Sequence, residues 1–142
     1  MQGSNKKSNL ADQKAFKKLV TELYKAWESQ DVSKPSRFYS KDPDHVFFDF
    51  APIKYTGWKE YAAGVKKTFF DNMPPNASRL AMKDDFKVMR WGNVAVTHST
   101  IDFSARLKNG TKMKETGRHT AVWEKHGPRW QIVHDHWSFP AK

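Results

Sequence analysis

After residue 78 this chain shows no helical period. It holds four β-rich runs, over residues 79–90, 93–107, 112–125 and 129–139, parted by Gly92-Asn93, Asn109-Gly110 and His126-Gly127-Pro128. Gly and Asn accept the positive φ that tight turns need, and Asn-Gly is the strongest short hairpin signal. Strands joined this closely pair as antiparallel neighbours, because a parallel pair needs a crossover of a dozen or more residues. The second half of the chain is therefore read as an antiparallel meander.

The first half has the other period. Phe16, Leu19, Val20, Leu23, Tyr24 and Trp27 recur at helical spacing and predict one buried helix face over residues 10–29. Asn9 is the expected N-cap, and Asp12 suits the first turn. A short second helix is expected over 31–39, interrupted by Pro35. A strand is expected over 45–50, ended by Ala51-Pro52. Thr56 is the expected cap of a third helix over 57–72, whose apolar face is Trp58, Tyr61, Ala62, Val65 and Phe69, and Pro74-Pro75 stops it. Helices first and a meander second predict an α+β fold, with three N-terminal helices packed on a strongly curved, mostly antiparallel sheet.

A chain of 142 residues suits one domain, read as a disordered arm over 1–9 and a folded unit over 10–142. Ten Phe, six Trp and four Tyr supply the apolar area that the low mean hydropathy does not suggest. The absence of cysteine excludes disulfides, thiol nucleophiles and thiolate metal sites. No apolar run has the length of a membrane span, and the first ten residues lack the apolar middle of a signal peptide, so the cytoplasm is the default expectation. The net charge of +10 raises nucleic-acid binding as a function class. Its lysines and arginines are spread over several elements, however, and form no continuous run. A solvated basic surface is the expectation, and nucleic acid is not an expected partner.

A two-residue loop at Asn109-Gly110 pairs Lys108 with Thr111, and so places His98 opposite Ala121 and Thr100 opposite His119. Alternation then puts Val96, His98, Thr100 and Asp102 on one face with His119, Ala121 and Trp123. In the last hairpin a three-residue loop would add Val133, Asp135 and Trp137 to that face, and a two-residue loop would add Trp130, Ile132, His134 and His136. A face mixing tryptophan, histidine and carboxylate suits a small-molecule pocket.

The run R-H-T-A-V-W-E-K-H-G-P-R-W-Q-I-V-H-D-H-W-S over 118–138 resembles the closing hairpin of SnoaL-like domains. It is also similar to the end of the association domain of calcium/calmodulin-dependent kinase II. Both belong to the nuclear-transport-factor-2-like superfamily. The resemblance covers about 10–139 and includes F-F-D at 47–49 and Y-T-G-W at 55–58. It implies a cone-like α+β fold and favours the three-residue loop in the last hairpin. In ketosteroid-isomerase-like relatives a carboxylate at the end of the first strand acts as general base, and Asp49 sits near that position. Tyr24 lies one residue away from the oxyanion-hole tyrosine of those relatives. Thr120 or Ala121 stands where they have an acid, so steroid isomerisation is not implied. The kinase domain's pocket arginines correspond to His98, Ala121 and Trp137, so its carboxylate ligands are not implied either.

Between Phe48 and Phe50, the Asp49 carboxyl has reason for a raised pKa and for shuttling a proton beside a carbonyl. Asp49 and His98 are the candidate catalytic pair. Trp27, Tyr55, Trp58, His119 and Trp123 are the candidate ligand-binding residues. His134 and His136 share a strand face but are read as hydrogen-bonding groups, so no metal is expected. Asp135, His136 and Ser138 do not make a triad, because neighbouring strand residues face opposite ways. No phosphate-binding glycine loop is present, and no cofactor is expected. The leading expectation is a small-molecule-binding domain with or without cofactor-free acid/base chemistry of the isomerase, cyclase or hydratase type. A non-catalytic dimerisation or assembly module is the alternative, and a basic nucleic-acid-binding domain the third. A homodimer is expected, and no membrane partner.

Overall fold

Phe16, Val20, Leu23, Tyr24 and Trp27 form one stripe of helix α1 (Gln2–Glu28), and all five are buried. Burying a large apolar side chain of this kind contributes roughly 1.5–3 kcal/mol. The computed structural model describes residues 2–141, with side chains from residue 10 onward. Helix α1 starts at Gln2, earlier than the Asn9 cap predicted, and the side chains of that cap and of the expected arm lie outside the described residues.

Where a second helix was expected over 31–39 there is a 3-10 turn, Pro35–Phe38, with Pro35 at its first position, where its missing N–H costs no bond. The third expected helix is α2 (Trp58–Thr68), followed by a separate 3-10 turn, Phe70–Asn72. The described residues thus hold two α-helices rather than three. Gly57, not Thr56, is the N-cap of α2, at φ +83°. Thr56 contributes its N–H, which Glu60 Oε2 accepts at 2.7 Å in the manner of half a capping box.

The expected strand over 45–50 is a two-residue strand, β1 (Val46–Phe47), paired with β2 (Tyr55–Thr56). The main sheet has the order β3 (Ser78–Met82), β5 (Val94–Arg106), β6 (Lys112–His126), β7 (Arg129–Ser138), with β4 (Lys87–Trp91) also paired to β5. The run over 79–90 is therefore two strands. Asp85 causes the break: its carboxylate accepts both the N–H and the hydroxyl of Thr100, at 2.9 and 2.8 Å, where a strand backbone would otherwise bond. Helix α1 lies across β3 and β4, with Gln13 Nε2 donating to Phe86 O and Glu28 Oε2 accepting the Leu80 N–H.

The β5–β6 register differs by one residue from the predicted one: His98 pairs with Thr120, and Ser99 with His119. Leu107 N–H donates to Thr111 O, so the loop has three residues, Lys108-Asn109-Gly110, with Gly110 at φ +90°. A one-residue slip turns every side chain to the other face. Ala95, Thr97, Ser99 and Ile101 thus face inward with His119, Ala121 and Trp123, and all seven are buried. His98 and Asp102 are exposed on the outer face, with the half-buried Val96 and Thr100.

The last hairpin combines both expected alternatives. Its loop has two residues, Gly127-Pro128, and Trp130 and Ile132 begin on the inner side. The register then shifts between Val122 and Trp123, where Val133 is the extra residue of a β-bulge. Beyond it Asp135 and Trp137 face inward, and His134 and His136 face outward.

Candidate functional site

Phe48 is backbone-paired to β7 in parallel: its N–H donates to Asp135 O at 2.9 Å, and its carbonyl accepts the Trp137 N–H at 3.0 Å. This pairing fixes the next residue, Asp49, at the edge of a cavity of about 70 Å³. Trp27 comes from α1, Val65 from α2, and Phe69, Phe70 and Met73 from the segment after it. Ser78, Leu80, Phe103 and Trp137 come from the sheet, and Phe50 completes the wall. Phe50 stacks on Phe139 at 4.2 Å, and Phe139 in turn occupies the space that the missing side chain of Gly117 leaves. The cavity has room for a few waters or a ligand of a few heavy atoms. A larger ligand needs the half-buried Phe69 and Phe70 to move.

Apart from Ser78, the lining is apolar around one carboxyl group. Burial raises the Asp49 pKa from 3.8 to about 7. Two hydrogen bonds oppose the rise by favouring the charged form: Tyr61 Oη–H donates to Oδ2 at 2.6 Å, and the Phe50 N–H donates to Oδ1 at 2.7 Å. The negative charge of Asp135 adds a smaller upward push. Asp49 as a whole is only half-buried, because it faces the cavity.

Behind Trp137 lies a buried polar network, in which Asp135 Oδ1 is left without a partner. Asp135 is fully buried, and its Oδ2 accepts from Tyr39 Oη at 2.7 Å and Trp137 Nε1 at 3.0 Å. His119 Nε2 is 3.2 Å from the same oxygen, and His119 Nδ1 is 2.9 Å from Tyr24 Oη, which also meets Ser99 Oγ at 3.1 Å. Trp27 Nε1 donates to Tyr39 Oη at 3.1 Å, so both tryptophans of the cavity wall are tied to this network. The His119 ring stacks on Trp137 at 3.7 Å. Burial, and then the Asp135 charge, hold the Tyr39 hydroxyl well above the usual tyrosine range. The network locks the rotamers of the wall.

The structure brings together only some of the predicted site residues. Asp49 and Trp27 line the cavity. His98 does not: it is exposed on the outer face, so the expected Asp49–His98 pair does not meet across a cavity. His119 is buried beneath Trp137, outside the lining. Trp123 is a core residue whose Nε1 donates to Thr97 Oγ1 at 2.9 Å and whose ring packs on Phe16. Trp58 stacks on Tyr39 at 4.7 Å, and Tyr55 stacks on Tyr61 at 5.0 Å, so both stand one layer behind. His134 and His136 flank Phe48 with their rings, and His134 Nδ1 donates to Val46 O. Among the described residues no group of three or more His, Asp or Glu is arranged to hold a metal ion.

Helical spacing puts Tyr61 on the apolar face of α2 but gives no sign of its bond to Asp49. Asp135 and Trp137 belong to only one of the two hairpin alternatives, and their link to Tyr39 leaves no mark in the sequence. The signal for Tyr61 was faint: a tyrosine in an otherwise apolar stripe needs a partner for its hydroxyl when buried.

A long helix cradled by a curved antiparallel sheet, with one carboxyl group in an aromatic cavity between them, defines the cone-shaped α+β class. The chain belongs to the SnoaL-like domain family, whose model matches residues 17–142. No curated protein matches it in sequence. Among solved structures it is similar to a nuclear transport factor 2 (NTF2-like) superfamily protein from Salmonella enterica serovar Typhimurium, with 23% identity, 93% of each chain covered and a TM-score of 0.82. It is similar to a protein from Novosphingobium aromaticivorans provisionally described as an aromatic ring hydroxylase, with 17% identity, 94% and 92% covered and a TM-score of 0.79. It is also similar to the CaMKII association domain of C. elegans, with 20% identity, 92% and 98% covered and a TM-score of 0.70. At these identities the likeness is one of fold. No described helix is long and apolar enough to cross a membrane.

Proposed function

We propose that this domain binds a small organic molecule in the Asp49 cavity and moves a proton on it without a cofactor. One observation carries the reading: a single carboxyl group with a pKa of about 7 stands in an aromatic cavity, held by Tyr61 and by the Phe50 N–H. A carboxyl group poised near neutral pH exists in both forms and can take a proton and give it back. As carboxylate, Asp49 removes a proton from a carbon next to a carbonyl. As carboxylic acid, it returns that proton to another carbon, which is isomerisation, or to a departing hydroxyl group, which releases water. Trp27 and Trp137 give the ligand flat apolar walls.

The test uses those tryptophans. Ketones from three carbons up to small rings are screened by quenching of intrinsic fluorescence, and each binder is followed for exchange of its α-protons with deuterium. The expected result is exchange whose rate rises with pH about a midpoint near 7 and is abolished in Asp49→Asn with folding intact. Equal exchange in the wild type and Asp49→Asn would remove Asp49 from the chemistry.

A second reading, an assembly module, is favoured by the outer face of the sheet, where Met89, Trp91 and Val94 are exposed. We propose a homodimer through the Met89, Trp91 and Val94 end of this face, which leaves free both the cavity on the opposite side and the far end of β5 and β6 near Arg106. The two readings are compatible.

A further inference from the structure

On the outer face, near the Lys108-Asn109-Gly110 loop, the register gathers four cationic side chains into two adjacent rows. Arg79, Ser104 and Lys114 stand side by side across β3, β5 and β6. In the next row Arg106 stands directly opposite Lys112. Together with Asn76 they line a groove of about 350 Å³ that has no carboxylate among its lining residues. The nearest acid on that face, Asp102, stands one row back. It is already engaged, accepting from Thr116 Oγ1 at 2.8 Å and from Lys83 Nζ at 3.4 Å, and it also feels the Lys114 charge, which leaves Arg79, Arg106 and Lys112 as the cations furthest from a carboxylate on that face.

Like charges directly opposite each other destabilise a strand pair. Arg106 and Lys112 are such a pair, with Lys114 close by. Arg79 is held at the groove by its own turn, with Nη1 donating to Ser78 O at 2.8 Å and to Asn76 O at 3.4 Å. An anion bound among these groups relieves the repulsion and meets donors on two sides. Two features of the groove narrow the class of anion. No aromatic ring lines it, so it lacks the stacking platform of single-stranded nucleic-acid sites. It is open to solvent and short, about 350 Å³, which suits a small anion rather than a long polymer.

We propose that this groove binds a small polyanion carrying two or more phosphate groups. The site is separate from the Asp49 cavity: Ser78, Leu80 and Phe103 face that cavity, while Arg79 and Ser104 face outward from the same strands. It does not depend on the chemistry assigned to Asp49.

The experiment is calorimetric titration of the full chain with inorganic tripolyphosphate at near-physiological ionic strength. Saturable binding is expected, weakened at least about tenfold by Arg106→Gln with Lys112→Gln. The control pair Lys17→Gln with Lys18→Gln removes the same charge from the exposed side of α1 and is expected to weaken binding less than about twofold. Equal losses in the two pairs would make the binding a property of net charge and overturn the site. Absence of saturable binding would do the same. An oligothymidylate that displaces tripolyphosphate at a lower phosphate concentration would overturn the small-ligand assignment in favour of nucleic acid. A nucleoside triphosphate that binds as well as tripolyphosphate supports a site that reads the phosphate chain, and tighter binding adds a contact to base or sugar. If the double variant does not fold, Lys114→Gln alone carries the test, with an expected loss of about threefold.

Discussion

Tyr61, on helix α2, donates a 2.6 Å hydrogen bond to Asp49 Oδ2, just beyond strand β1. The bond opposes the effect of burial on the same carboxyl group. Burial favours the neutral acid, Tyr61 favours the carboxylate, and the balance is a pKa of about 7.

That balance makes the fold itself depend on pH. Unfolded, Asp49 ionises at its ordinary value of 3.8, while folded it keeps its proton up to about 7. Between those values the folded chain binds a proton that the unfolded chain lacks. The contribution of Asp49 to stability therefore falls as pH rises across this window, by on the order of 4 kcal/mol. Urea unfolding at a series of pH values is expected to show this decline in the wild type and to lose it in Asp49→Asn. Parallel curves for the two proteins would contradict the raised pKa.

Tyr61→Phe removes the donor and keeps the ring. The Asp49 titration is expected to move above 7, and stability above that pH to fall by about 1–3 kcal/mol, the cost of a buried charge losing a hydrogen bond. Carbon-13 NMR of the labelled aspartate carboxyl groups reads the shift directly. An unchanged or lower midpoint would mean that Tyr61 does not hold the carboxylate.

Gly117 is expected to resist any side chain. A Cβ there would stand 2.5 Å from Phe139 Cδ1 and 2.7 Å from the backbone oxygen of Ser138, which cannot turn away. Gly117→Ala should destabilise by about 1–3 kcal/mol and loosen the Phe50–Phe139 stack. Thermal unfolding checks the first effect, and ligand affinity checks the second.

Leu23 is 0% exposed at the centre of the α1 stripe. Leu23→Ala should cost about 2–5 kcal/mol in denaturant unfolding. A loss under about 0.5 kcal/mol, the surface range, would count against the packing of α1 on the sheet.

The Met89, Trp91 and Val94 end of the outer sheet face is expected to hold a second copy. Light scattering should give twice the chain mass of 16.5 kDa, and Trp91→Lys should halve it, because Trp91 is 42% exposed in the apolar part of that face. A monomer mass for the wild type at tens of micromolar, on the order of ordinary assay concentrations, would count against the dimer.

What was legible in the chain follows from the range of each signal. The α1 stripe and three of the four strand limits came from local periods and from turn residues, and the structure places them within a residue or two. The strand over 79–90 did not, because the break at Asp85 depends on Thr100, which is remote in sequence. The faces of β5 were reversed by a single residue. Asn109-Gly110 reads as a two-residue turn, and only the bond from Leu107 N–H to Thr111 O shows that Lys108 belongs to the loop. That slip moved His98 into a pocket it does not reach. Asp49 was legible as a carboxyl group between two phenylalanines. Tyr61 and Trp137 were not legible as its neighbours, since α2 and β7 meet it only in three dimensions.

The parallel pairing of Phe48 with Asp135 and Trp137 sets an order of events during synthesis. The segment bearing Asp49 is made well before the strand that walls it in. Until β7 docks, Asp49 is an ordinary hydrated carboxylate, and its aromatic neighbours have no cavity to line. The raised pKa of Asp49 therefore waits for β7 to dock, however early the rest of the fold forms.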